Sequence, residues 1–239
     1  MFRDSALFEF RGPFGIPVQI GSSIIFLAFL FLSVGGDPAY IAYDIVFLLI
    51  LILSIFLHEL GHAWGCRVQG VSVRRIMIYG GGGFCEHDPA TRCEDELIVA
   101  MGPIVNLALW AICSLLVPYA ANPDLSWALE AAADVNIILA VLNMLPVMPL
   151  DGGQLFQLAL MRILPAQLAT RICGGVGLLI ALAWIPMMIA CMYYFGFFLL
   201  FFPPIACTGR CCGWSAELSA PGLIHSPLRP SSTRPQHLP

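Results

Sequence analysis

His58-Glu59-Leu60-Gly61-His62 sets two imidazoles four residues apart, with an acid directly after the first. On a helix, residues four apart stack on one face. Two such rings can grip one divalent ion, and the adjacent carboxylate then reaches a water that the ion acidifies. The chemistry this pattern suits is metal-assisted hydrolysis, with Glu59 as general acid/base. The plainer reading is a pair of ordinary buried or interfacial histidines with everyday hydrogen bonds. Context weighs against it, because the motif closes an apolar run from Ala42 to Trp64. Ionisable side chains inside a membrane span cost roughly 2.5–3.5 kcal/mol each, so three in a cluster need a reason.

Two histidines do not complete a catalytic zinc site, which typically keeps three protein ligands and one open position. His87 lies in a loop, and His225 and His237 lie near the end of the chain. Asp151 stands in an apolar Pro-Leu-Asp-Gly-Gly stretch, after breaks at Pro146 and Pro149. Gly152 and Gly153 permit close backbone approach there. Spacing alone leaves two readings level: an inward-turned ligand, or a simple turn between helices. Cys85 and His87 are a weaker candidate pair for a second metal. Cys207, Cys211 and Cys212 suit lipid attachment or metal binding less well than incidental placement in a polar tail. No cysteine pair has zinc-ribbon spacing.

The elements that must position these residues are apolar helices. Hydrophobic residues make up 59% of the 239 and charged residues 11%, against about 25% charged in a soluble domain. That leaves too little polar surface for a water-soluble fold, so the expected class is an all-α polytopic membrane protein with about six transmembrane helices. No basic stripe with interleaved aromatics supports nucleic-acid binding, and residues 1–18 are too polar for a cleavable secretory signal. These residues read as an interfacial segment, 19–205 as the membrane core and 206–239 as a disordered tail.

Within the core, a first span is expected over Gln19–Val34 and a second over Ala42–Trp64, carrying the histidines in its last turns. Residues 71–85 read as a short β-hairpin around Gly80–Gly83. Helices follow over Glu94–Val117 and Glu130–Leu145, with a polar loop at 118–130. The chain resumes as a helix at Asp151, and an apolar stretch runs over Ile172–Ile205 with Pro186 in its middle. All 11 basic residues are Arg, and those of the core and its N-terminal flank fall in alternate loops. The positive-inside rule then puts the N-terminus, 65–96 and 162–171 in the cytoplasm, where Cys66, Cys85 and Cys93 stay reduced.

HELGH followed by NMLPVMPLDGGQL resembles the site-2 protease family of intramembrane zinc metalloproteases, peptidase family M50. The likeness runs over about residues 12–205. It implies His58, His62 and Asp151 as zinc ligands and Glu59 as the catalytic acid/base. Gly102-Pro103-Ile104-Val105-Asn106 is similar to the family's GPxxN element, and Asn143 falls where members often carry an Asn. Asn106 and Asn143 are therefore candidate contacts to substrate or transition state, with helix packing the competing role for each. The resemblance also implies a transmembrane protein as substrate, a lipid bilayer as surroundings and a prokaryotic cell membrane as location. The 71–85 hairpin is similar to the family's membrane-associated β-loop, a surface suited to an unwound substrate strand. No PDZ-like insert or CBS-like domain is found in the sequence, so the likeness is to a minimal form. Two rivals stand beside the protease: a membrane metal transporter, and an inactive pseudoprotease that binds transmembrane helices.

Overall fold

The computed structural model of the chain describes residues 5–32 and 38–195. The expected tail at 206–239, with its three cysteines, and the end of the last apolar stretch lie outside the described residues.

The chain opens with an antiparallel pair, β1 (Ala6–Arg11) and β2 (Pro17–Gly21). Its connection turns through Phe14 and Gly15, both at positive φ (62° and 75°). A short helix, α1 (Ile24–Phe31), follows. The expected first span over Gln19–Val34 is thus divided. Its start is strand, because Val18 and Ile20 pair in parallel with Ile76 and Ile78. Those partners are more than fifty residues away and leave no local signal. The eight residues of α1 rise only about 12 Å at 1.5 Å each, far short of a bilayer core of about 30 Å.

The long helix α2 (Pro38–Val68) leads into β3 (Val73–Tyr79) and β4 (Gly82–His87). The four strands make one sheet in the order β1-β2-β3-β4, with β4 at one edge. The sheet packs on α2 through Ile16, Val18, Ile76 and Ile78 against Ile55 and Ala63. Gly80 closes the β3–β4 turn against α1: its N–H donates to Ser23 Oγ at 2.8 Å, and a Cβ there would lie 2.3 Å from the Ser23 carbonyl oxygen.

Next comes α3 (Arg92–Leu116), which begins at a capping box. Thr91 N–H donates to Glu94 Oε2 at 2.7 Å and Glu94 N–H to Thr91 Oγ1 at 3.4 Å. The helix lies against α2 on small residues. A Cβ at Gly61 would sit 2.7 Å from the Met101 carbonyl oxygen, and one at Gly65 would sit 2.9 Å from Ile98 Cα. Such small-xxx-small spacing lets membrane helices approach closely. α4 (Pro123–Asn143) starts earlier than the polar-loop reading of 118–130. Asn122 caps it by accepting from Leu125 N–H at 2.8 Å, and Pro123 suits the first helical position. The chain finishes with α5 (Asp151–Leu160) and α6 (Ala166–Phe195), the latter passing through Pro186.

Among the described residues, four helical stretches are long and apolar enough to cross a membrane: Tyr40–Val68, Arg92–Tyr119, Pro123–Asn143 and Ala166–Trp184. Their outer surfaces expose Leu49, Leu115 and Leu179 at 61%, 71% and 69%. The buried polar residues, by contrast, are Ser54, His58, Glu59, His62, Asn106, Asn136 and Asp151. Apolar outside and polar at one interior point is the arrangement of an integral, multi-pass membrane protein with an internal site.

Candidate active site

Helical spacing brings His58 and His62 together on α2, their rings 4.7 Å apart and nearly perpendicular at 86°. Asp151 comes from the first turn of α5. Its approach depends on the two glycines after it. A Cβ at Gly152 would lie 2.3 Å from the Met144 carbonyl, and one at Gly153 would lie 2.6 Å from Val147 C. The start of α5 therefore seats against the backbone of the 144–150 loop, where any larger residue would push Asp151 away. Asp151 opens α5 and brings its carboxylate to the two histidines.

His58 Nε2 is 3.1 Å from Asp151 Oδ2, and His62 Nε2 is 3.5 Å from Oδ1. The two Nε2 atoms are 3.1 Å apart. His62 Nδ1 lies 2.8 Å from the Ile98 carbonyl oxygen. A carbonyl only accepts, so this nitrogen carries the proton and Nε2 presents a lone pair. His58 Nδ1 faces Asn106 Oδ1, also an acceptor, with the same consequence. Two nitrogen lone pairs and a carboxylate thus converge in a buried space. Asp151 Oδ2 is buried and has no hydrogen-bond donor. Burying three acceptors face to face without a donor is costly, and a cation between them removes the cost.

The ligand atoms of the three residues lie within 4.8 Å of one another. A two-His, one-carboxylate set with a free position suits catalytic zinc. Gly102 of α3 forms the facing wall, where a Cβ would lie 2.5 Å from His62 Nε2 and 2.7 Å from His58 Cε1. The residues present fit a zinc ion. Among the described residues, no other group of three His, Cys, Asp or Glu side chains meets in this way.

Glu59 is 4% exposed and abuts β4, with Gly83 directly against its side chain. Asn106 is fully buried and bonded to His58, while Asn143 is half-buried at the last residue of α4. The Cys85–His87 pair does not gather a third ligand. Cys85 is hydrogen-bonded to Cys66, which together with burial pushes its thiol up and keeps it from being a ready thiolate ligand. His87 Nδ1 instead donates to the Asp88 carbonyl at 2.8 Å.

Sequence reasoning passed over Ser54 and Asn136. Each is an uncharged polar residue on a spanning helix, Ser54 within an apolar run and Asn136 two residues after Asp134, and a polar group at membrane depth is the signal that could have found them.

A spanning-helix bundle around a buried His-His-Asp cluster has the form of a membrane protein with an internal metal site. The profile of Peptidase family M50 matches residues 46–123 and 118–184. The chain belongs to peptidase family M50. It is 26% identical over 172 residues to a zinc metalloprotease of Methanocaldococcus jannaschii, covering 70% of this chain and 50% of that one. It is 30% identical over 168 residues to Rip3 of Mycobacterium tuberculosis, covering 62% of this chain and 42% of that one. The chain thus spans half the length, or less, of these relatives. The solved structure of the site-2 protease from Methanocaldococcus jannaschii has the same fold, with a TM-score of 0.60, 18% identity, and coverage of 93% of this chain and 99% of that one.

Proposed function

We propose that this protein is an intramembrane zinc endopeptidase that hydrolyses a peptide bond in or near a transmembrane helix of a membrane-anchored substrate. The observation that carries the reading is the convergence of His58, His62 and Asp151, buried and donor-free, with Glu59 beside the two histidines on α2. Zinc bound there would supply Lewis acidity to the scissile carbonyl and to a water.

The chain's own residues do the rest. The Nδ1–H bonds to Ile98 and Asn106 keep both Nε2 lone pairs aimed at one point. Glu59 takes a proton from the attacking water and returns it to the leaving amine. The apolar helices exclude bulk water. Asn143, at the end of α4 just ahead of the 144–150 loop, is proposed to contact substrate. Asn106 is engaged with His58 and is proposed to act through it.

A helical substrate hides its carbonyls in hydrogen bonds, so it must unwind before cleavage. The edge strand β4 runs beside Glu59 and can receive an extended segment by strand addition. The arginines at 67–92 and 162–171 support a cytoplasmic site and N-terminus, with a prokaryotic cell membrane as the setting. The span count of about six, the interfacial 1–18 and the tail at 206–239 remain part of this proposal and are open to cysteine-labelling topology.

Reconstitution of the protein in liposomes with a transmembrane substrate tests the function. Zinc-dependent cleavage is expected. Zinc flux without cleavage would favour a transporter instead, and zinc binding with neither would favour a pseudoprotease.

A further inference from the structure

Apart from Glu59, the buried polar residues left over from the metal cluster form one chain of hydrogen bonds through three helices. Ser54 is on α2, four residues before His58 and on the same face. Asn106 is on α3 and Asn136 on α4. Asn136 Nδ2 donates to the Ala132 carbonyl at 2.8 Å and to Ser54 Oγ at 3.0 Å. Asn106 Nδ2 donates to Asn136 Oδ1 at 2.7 Å. Asn106 Oδ1 then meets His58 Nδ1.

Each link in this chain has a direction. The Ala132 carbonyl can only accept, so the Asn136 amide must turn its nitrogen there and its oxygen toward Asn106. That oxygen can only accept, so Asn106 turns its nitrogen to Asn136 and its oxygen to His58. His58 Nδ1 must then be the N–H, which leaves the lone pair on Nε2 where Asp151 and His62 converge.

We propose that Asn136 is a positioning residue for the zinc ligand His58, acting through Asn106 to hold the imidazole in its metal-binding tautomer. The inference rests on the zinc reading of the site. A chain that merely tied three helices together would need hydrogen bonds of either polarity; this one delivers an acceptor to Nδ1. Asn136 thereby couples α4 to the ligand set, although α4 contributes no ligand of its own.

The distinction is testable because aspartate at 136 keeps the acceptor toward Asn106 Nδ2 but loses the donor to Ala132 and Ser54. Leucine loses both. In the purified protein, zinc affinity is measured by chelator competition, and the visible bands of the cobalt-loaded protein report ligand geometry. Asn136→Asp is expected to bind zinc within about threefold of wild type with unchanged cobalt bands. Asn136→Leu is expected to bind roughly 10–100-fold more weakly, the range for losing a partner behind a metal ligand, with altered bands. Asn136→Ala carries the same expectation should the leucine variant not fold. Ser54→Ala, which leaves the Ala132 anchor, is expected to stay near wild type.

Equal losses in the aspartate and leucine variants, or no loss in either, overturn the tautomer account in favour of plain helix packing. Absence of zinc binding by wild type overturns the site reading itself, and this inference with it.

Discussion

Gly83 on the edge strand β4 stands directly against the side chain of Glu59: a Cβ at Gly83 would lie 2.6 Å from Glu59 Cγ and 2.7 Å from Oε1. The glycine is what lets the sheet close over a buried carboxylate without displacing it. Strand and acid are thereby tied at Gly83.

The first prediction follows from that contact. Gly83→Ala must move the Glu59 carboxylate, the strand or both. A misplacement near 1 Å can cost about a hundredfold in rate. Cleavage is expected to fall by at least about tenfold while zinc content stays at the wild-type level, because the atoms nearest to such a Cβ all belong to Glu59. Metal analysis beside an initial-rate assay checks this; an unchanged rate would mean that Glu59 needs no fixed position.

Gly102 makes the complementary case on the other wall. A Cβ there would intrude on both imidazoles, at 2.5 Å from His62 Nε2 and 2.7 Å from His58 Cε1. Gly102→Ala is expected to weaken zinc binding by at least about tenfold, and cleavage with it at limiting zinc. Chelator competition reads the affinity, and wild-type binding would show that the rings have room to retreat.

Much of this site is visible in the chain before folding, but unevenly. His58, Glu59 and His62 are legible because their relationship is local: one helical turn fixes it. Asp151 is only half legible. Its Gly-Gly sequel announces a tight backbone, yet what the glycines abut, Met144 to Met148, depends on how the loop folds back. The strand at Pro17–Gly21 is hidden inside an apolar run because its partner is β3, in parallel, across the whole of α2. Asn106 is visible in the sequence, whereas its bond to His58 is not, since it depends on how closely α3 packs against α2. The bonds that Ser54 and Asn136 make are hidden for the same reason. The early start of α4 was masked by polar residues that turn out to be its Asn122 cap and first turn.

Thr91 gives a prediction on stability alone. Its capping box fixes the start of α3, the helix that supplies Ile98, Gly102 and Asn106 to the site, from seven or more residues away. Thr91→Ala is expected to lower stability by about 1 kcal/mol with zinc affinity unchanged. Denaturant unfolding in detergent, beside metal titration, separates the two. A matching loss of zinc would mean that the helix start and the site are coupled.

The central claim is that His58, His62 and Asp151 hold zinc while Glu59 moves the proton. It is tested most directly by measuring zinc content and cleavage of a transmembrane substrate together, in purified wild type, Glu59→Gln and Asp151→Ala. Wild type is expected to carry one zinc and cleave. Glu59→Gln is expected to keep zinc and lose cleavage, since glutamine cannot accept the proton. Asp151→Ala is expected to lose both. Cleavage by Glu59→Gln at the wild-type rate, or normal zinc content and cleavage in Asp151→Ala, would contradict the account.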